Sequence, residues 1–299
     1  MITASSMPTA GAVIRYWRTR GPAPVLLIQG VGVIGEGWRP QIDGLAPRHG
    51  LIWFDNRGIG QSSMAGGTLS IEAMAADALA VLDAEGLECC HVVGHSMGGV
   101  VAQQIALQAP ARVKSLSLLC TFHRGADSVR PTARLVWLGL RSRVGTLAMR
   151  RQAFLELILP PDYLKRCDMA ELTRRMAGLF GHDLAHQPPI TTSQLRALAR
   201  YDASARLVQL AGIPTLVVSA ALDPIAGPRT GRALAAAIPG ARYVELPDAG
   251  HAVPIHAAVE INDLLEGHLA GAESGQRTLR SSSKQWCALH DSNGRAAGS

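Results

Sequence analysis

The stretch HVVGHSMGGVVAQQIALQ, residues 91–108, decides how the rest of the chain is read. His91–Val93 is a short apolar run with the character of a buried strand, and Met97–Gln108 has helical spacing and helix-forming residues. Between them Gly94-His95-Ser96-Met97-Gly98 puts a serine on a sharp strand-to-helix turn. Such a turn strains the serine backbone, and side chains two residues away on either side would crowd it, which accounts for Gly94 and Gly98. Gly99 then allows the helix to pack closely. The helix start places free N–H groups and the positive end of the helix dipole beside the serine. Ser96 is therefore the candidate nucleophile. His95, its neighbour, points elsewhere on the turn and supports rather than acts as a base.

Working outward, short apolar runs alternate with helical patterns. Val13–Trp17, Pro24–Ile28, Leu51–Phe54, Ser115–Leu119, Pro214–Ser219 and Arg242–Leu246 read as further strands. Several are apolar almost throughout, as strands covered on both faces require. Ile71–Glu85, Arg229–Ala237 and Pro254–Leu269 have helical spacing, with Ser70 as an N-cap and Gly86 as a terminator of the first. Alternating strand and helix implies right-handed crossovers and a mostly parallel α/β sheet. The alternation breaks between about Phe122 and Ala205, where Thr132–Arg141, Thr146–Leu159 and Ser193–Arg200 read as helices separated by Pro160-Pro161 and Pro188-Pro189. The expected organisation is a core from 1–121 and 206–270 with a helical cap at 122–205, above the strand ends where such sheets bind ligands. Residues 271–299, polar and rich in Ser and Gly, read as a disordered or weakly attached tail.

A serine hydroxyl needs a base, and the base needs an orienting acid. Asp223 follows the strand Pro214–Ser219, and His251 follows Arg242–Leu246 through Pro247-Asp248-Ala249-Gly250, so both occupy the same rim as Ser96. Asp248 competes as the acid but lies too near His251 in the chain to reach its far ring nitrogen, which favours Asp223. An oxyanion needs two aimed donors. The Met97 N–H, next after the serine, is one, and the loop Leu27-Ile28-Gln29-Gly30-Val31-Gly32 offers the Val31 N–H as the other. Gly30, Gly32 and Gly35 also spell a dinucleotide-loop pattern, but no good helix follows, so that reading fails. Asp55-Asn56-Arg57-Gly58-Ile59-Gly60-Gln61-Ser62 reads as a tight turn with local hydrogen bonding. His182 and His186 have i, i+4 spacing without a third ligand, so packing explains them and no metal is expected.

The bulk numbers narrow the classes. The chain of 299 residues carries 29 Lys and Arg against 23 Asp and Glu, yet has no dense basic run interleaved with aromatics, so nucleic acid is not an expected partner. Between Phe122 and Ala205 there are 13 basic and 7 acidic residues, which concentrates the excess in the helical segment. Cys89, Cys90, Cys120, Cys167 and Cys287 form an odd set without metal or redox spacing, as in a reduced cytoplasmic protein. Neither a signal peptide nor a membrane-spanning run is legible, and no membrane partner is expected. The oligomeric state is not readable.

With these residues in place, the chain resembles small bacterial α/β-hydrolases of the esterase, enol-lactone hydrolase and cofactor-free haloperoxidase group. The resemblance is carried by LLIQGVG, FDNRGIGQSS, VVGHSMGGVVAQQIALQAPARVKSLSLL, LVVSAALDPIAGP and IPGARYVELPDAGH, spanning about Ala12 to Leu269. It implies an eight-stranded, mostly parallel sheet with a helical cap after the sixth strand. It also implies a Ser96–His251–Asp223 triad, an oxyanion hole from Val31 and Met97, and no cofactor. One departure is Gln29-Gly30, where relatives commonly carry His-Gly. The expected activity is hydrolysis of a small carboxylic ester or lactone. Carbon–carbon bond hydrolysis and perhydrolysis share the motif, and a non-catalytic binding protein on this fold is disfavoured because all three triad residues are retained. The cap should supply an apolar pocket with Arg124, Arg130 or Arg134 near its mouth.

Overall fold

The computed structural model describes residues 1–127 and 133–291 of the chain. Its strands are β1 (Ile2–Thr9), β2 (Ala12–Thr19), β3 (Val25–Ile28), β4 (Leu51–Phe54), β5 (Cys90–His95), β6 (Val113–Leu119), β7 (Thr215–Ala220) and β8 (Arg242–Leu246). Between β3 and β6 lie the helices α1 (Arg39–Leu45), α2 (Ile71–Ala84) and α3 (Met97–Gln108). Between β6 and β7 come α4 (Ala133–Arg141), α5 (Leu147–Ile158), α6 (Pro161–Lys165), α7 (Met169–Phe180) and α8 (Thr191–Arg200). Then follow α9 (Pro228–Ala237), α10 (Val253–His256) and α11 (Ala258–Asp291).

One eight-stranded sheet runs in the order β1-β2-β4-β3-β5-β6-β7-β8. β2 is antiparallel to both β1 and β4, and every other pairing is parallel. β3, β4, β5 and β7 are buried along their whole length. Alternate side chains go to opposite faces, as the two-residue period of a strand dictates. Leu26 and Ile28 join the cluster under α2, α3 and α9, whereas Val25 and Leu27 join the one under α1 and α11. Ser70 Oγ accepts the Ala73 amide at 3.1 Å to cap α2, and Gly86 follows its end at φ +64°. No helix among the described residues is long and apolar enough to cross a membrane.

Several elements are not legible in the sequence, among them β1, α1 and α7. β1 pairs with β2 along its length, but most of it is exposed and its residues are largely polar, so no apolar run announces it. Short α1 follows a 3-10 turn at Gly35–Trp38. For α7 the signal lies at its boundaries: Asp168 accepts the Ala170 and Glu171 amides at its start, and Gly181 closes it at φ +80°.

The tail boundary at 270 is corrected. α11 runs past it, because Ile261, Leu265, Leu269 and Ala272 continue one buried stripe, and Glu273 binds Lys114 and His91 on the sheet. Its backbone stays helical through Asp291, and residues 292–299 lie outside the described residues. In the insert, Leu155, Ile158, Leu159, Leu172, Met176 and Leu179 form their own buried cluster, closed by Val33 and Ile255 from the sheet's rim. Ala197 and Leu198 of α8 instead belong to the main core.

Candidate active site

Ser96 sits between β5 and α3 with φ +54° and ψ −121°, a conformation costing on the order of 1–3 kcal/mol for a residue with a side chain. The surroundings over-determine it. Its amide donates to the Leu119 carbonyl at 2.9 Å, and its carbonyl accepts from Thr121 Oγ1 at 2.7 Å. The glycines are required for a reason other than crowding of the serine. A Cβ at Gly94 would lie 2.2 Å from the Gly98 carbonyl oxygen, and one at Gly98 would lie 2.0 Å from the Ile28 carbonyl oxygen. They permit contact between strand and helix backbones rather than room around the hydroxyl. Gly99 does pack as expected, against Thr121.

His251 and Asp223 converge on this serine. His251 Nε2 lies 3.0 Å from Ser96 Oγ, and His251 Nδ1 lies 2.7 Å from Asp223 Oδ2. Asp223 Oδ1 accepts the Ile225 and Ala226 amides at 2.7 and 3.0 Å. Burial works to raise the Asp223 carboxyl, but the His251 ring and these amides hold it below the ordinary aspartate value. It is thus a carboxylate that accepts a hydrogen bond from Nδ1–H, which leaves the Nε2 lone pair toward the hydroxyl. Asp248, the competing acid, is exposed. Cys120 is buried against Asp223, and burial, followed by that carboxylate, pushes its thiol well above the ordinary cysteine value, so it stays protonated.

His95 braces the backbone of His251. Its Nε2 is 2.8 Å from the His251 carbonyl, which can only accept, so His95 carries its proton there. Burial, followed by the nearby His251, pulls its pKa down to about 3, which keeps the ring neutral. The Gly250 amide donates to His256 Nε2 at 3.1 Å, bracing the same loop from the other side.

The loop after β3 closes on the serine from above. A Cβ at Gly30 would come within 3.0 Å of Ser96 Cβ, so only glycine fits there without displacement. The Gly30 amide donates to Gln29 Oε1 and the Gly32 amide to Gln194 Oε1, while the Val31 amide between them has no acceptor among the described residues. The Met97 amide, at the start of α3, is likewise unengaged there. Gln29 thus folds onto its own loop, and Asn56 Nδ2 holds the Gln29 carbonyl at 3.1 Å. Asp55 binds the Gly35 and Gln61 amides, and Arg57 forms a buried double hydrogen bond with Asp77. The turn motif at 55–62 is a brace for the Gln29 loop.

The insert also holds these loops. Gln194 on α8 takes the Gly32 amide, His182 Nε2 bonds the Gly32 carbonyl at 3.1 Å, and the Ala252 amide bonds the Ile158 carbonyl at 2.9 Å. His182 is therefore a tie between the insert and the Gly32 loop. Gln194 carried no signal in the sequence, since a glutamine in an amphipathic helix looks like any solvated residue.

A cavity of about 610 Å³ opens over Ser96 and His251. Phe122, Phe154, Leu157, Phe180 and Ile225 make its walls mostly apolar. Among the described residues its lining includes Arg143, and Arg124, expected near the mouth, is not on it. Arg124 is drawn into a backbone bridge with Asp202, and Arg130 and the Arg134 side chain fall outside the described residues.

A model of the alpha/beta hydrolase fold matches residues 23–258. The chain belongs to the α/β-hydrolase family. It is 32% identical over 257 residues to a candidate carbamate hydrolase, RutD, of Azorhizobium caulinodans, covering 84% of this chain and 93% of that one. It is 32% identical to rhodomycin D methylesterase DnrP of Streptomyces peucetius, covering 78% and 86%. The crystal structure of an enol-lactonase from Burkholderia xenovorans superposes with a TM-score of 0.74 at 25% identity, covering 89% and 100%.

Proposed function

We propose that this α/β-hydrolase cleaves a small carboxylic ester or lactone through an acyl-enzyme on Ser96. The observation that carries this reading is the hydrogen-bonded chain Ser96–His251–Asp223 at the floor of an apolar cavity. His251 Nε2 takes the hydroxyl proton as Oγ attacks the carbonyl, and Asp223 orients the ring and offsets the charge it gains. The Val31 and Met97 amides donate to the oxyanion. The protonated His251 then gives its proton to the departing alkoxide, and water, deprotonated by the same ring, releases the acid and restores the serine. No step needs a metal or an organic cofactor. The helices between β6 and β7 act as a cap that shapes the acyl pocket.

The relatives' names support the same carbonyl chemistry, since carbamates, methyl esters and enol-lactones each present a carbonyl bonded to a leaving oxygen or nitrogen. The test is labelling with a fluorophosphonate probe, followed by a panel of short acyl esters, a lactone and a carbamate. Labelling and turnover are expected in the native chain and absent in Ser96→Ala. Ester turnover that survives Ser96→Ala would overturn the mechanism. Labelling without turnover of any ester or lactone would move the assignment toward the other reactions of this fold.

A further inference from the structure

The insert presents an apolar face that no described residue covers. Val136, Trp137, Leu140, Val144 and Leu147 are 59%, 56%, 55%, 61% and 45% exposed, all within one stretch from α4 to the first residue of α5. Large side chains so exposed and so close together mark a surface that meets something apolar. The charge along this stretch of sequence has one sign. Between Asp127 and Glu156 the sequence carries six arginines and no acid. Arg151 is paired with Asp183, but Arg141 lies over the Trp137 ring, 5.7 Å from its centre, and makes no ion pair among the described residues. A cation stacked on an exposed tryptophan beside exposed aliphatics is the chemistry of the headgroup boundary of a lipid layer.

We propose that this face docks on an anionic lipid surface. The charge discriminates among occupants. A second copy of the chain, meeting this face with its own, would set arginines against arginines with no acid in the stretch to neutralise them. A zwitterionic lipid surface would accept the apolar side chains but leave the arginines without partners. An anionic lipid surface satisfies both. Leu140, Ser142 and Arg143 of the same stretch line the cavity, so docking turns its mouth toward the lipid and favours amphiphilic substrates delivered from there. Docking of this kind needs no spanning segment, so it leaves no membrane-span signal in the sequence.

The full chain is tested by cosedimentation with vesicles of phosphatidylcholine alone and of an equimolar mixture with phosphatidylglycerol. Binding is read directly, so the outcome is independent of whether Ser96 is the nucleophile. Pelleting with the mixed vesicles only is expected, weakened roughly tenfold by Val136→Glu/Val144→Glu and by raising salt. Trp137 emission should shift to the blue on binding, and Trp137→Phe should abolish that shift while other tryptophans stay silent. Short-ester turnover in solution should be unchanged in the double variant, which also shows that it is folded. Failure to pellet with the mixed vesicles, or pelleting that the double variant retains in full, would overturn the proposal. A concentration-dependent dimer that the double variant dissolves would assign the face to a second copy instead.

Discussion

A Cβ added at Gly98 would lie 2.0 Å from a carbonyl oxygen of β3, and one at Gly94 would lie 2.2 Å from a carbonyl oxygen of α3, whereas one at Gly139 in α4 or Gly178 in α7 would meet nothing within 4 Å. The strand rim and the insert thus hold the site by different means. At the rim, backbone touches backbone, and the positions of Ser96, Asp223 and His251 follow from where strands end. In the insert, single side chains reach down to fasten loops: Gln194 and His182 to Gly32, with the Ile158 carbonyl to Ala252. Backbone contact tolerates no change, while a side-chain tie can be cut and measured. If the triad acts as proposed, the rim governs whether a bond is broken, and the insert governs which bond and how well it is placed.

The largest effect should come from breaking the rim's chemistry without its packing. Asp223→Asn keeps the shape but cannot hold the His251 Nδ1 proton as a carboxylate does, and kcat should fall roughly 10⁴-fold, or about 5.5 kcal/mol. Phe154→Ala on the cavity wall should instead shift preference among acyl groups, with changes in kcat/KM within about 200-fold for any one of them. Steady-state kinetics over an ester series separates the two. A specificity change from Asp223→Asn, or a uniform collapse from Phe154→Ala, would break the division between rim and insert.

A second pair sharpens it through stability. Gly98→Ala should cost about 3 kcal/mol, since the clashing atoms belong to two backbones and neither can turn aside. Gly178→Ala, exposed in the last turn of α7, should stabilise by up to about 0.5 kcal/mol through helix propensity. Urea unfolding of both variants gives the signs. If both were neutral, the close approach of β3 and α3 would not be a constraint.

The same difference explains what could be read in advance. Gly94, Gly98 and Gly99, the apolar runs of β3 to β7, and the order Ser96, Asp223, His251 were legible because local backbone demands fixed them. Gly98 is legible for the right turn but the wrong contact, since the Ile28 carbonyl that it meets is 70 residues distant in sequence. Gln194, the Ile158 carbonyl and Thr121 were silent, because a long-range tie has no local pattern. β1 was silent because an edge strand mostly exposed to solvent has no apolar run. The cap arginines were legible as a charge excess, but which of them reaches the cavity depends on how the helices lie.

Cutting a tie should give a smaller effect. Gln194 Oε1 is the acceptor for the Gly32 amide, and that amide adjoins the Val31 amide proposed to donate to the oxyanion. Gln194→Ala should lower kcat/KM about tenfold, near 1.4 kcal/mol, by loosening the loop. Gln194→Glu keeps an acceptor oxygen and should recover most of the loss. Equal damage from both variants would mean that Gln194 only packs. A kcat effect with KM unchanged would place its contribution at the oxyanion rather than at substrate binding.

The smallest effect belongs to the end of the chain, where the boundary at 270 needed correction. Glu273 accepts Lys114 Nζ at 2.7 Å and lies 3.0 Å from His91 Nε2. Lys114 first, and His91 after it, hold its carboxyl below the ordinary glutamate value. A carboxyl with a depressed folded pKa contributes stability that is complete above its unfolded value, near 4.3, and is lost as pH falls through the folded value. The side chain is 29% exposed, so solvent screening limits this to about 0.5–1 kcal/mol. Glu273→Gln should therefore lower Tm by about 1–3 °C at pH 7, and the gap to the native chain should close as pH drops below about 4. Thermal melts at pH 7, 5 and 3 read that convergence. A gap that stayed constant with pH would mean that Glu273 acts through packing alone, and the docking of α11 on β5 and β6 would rest on Leu269 and Ala272 without electrostatic help.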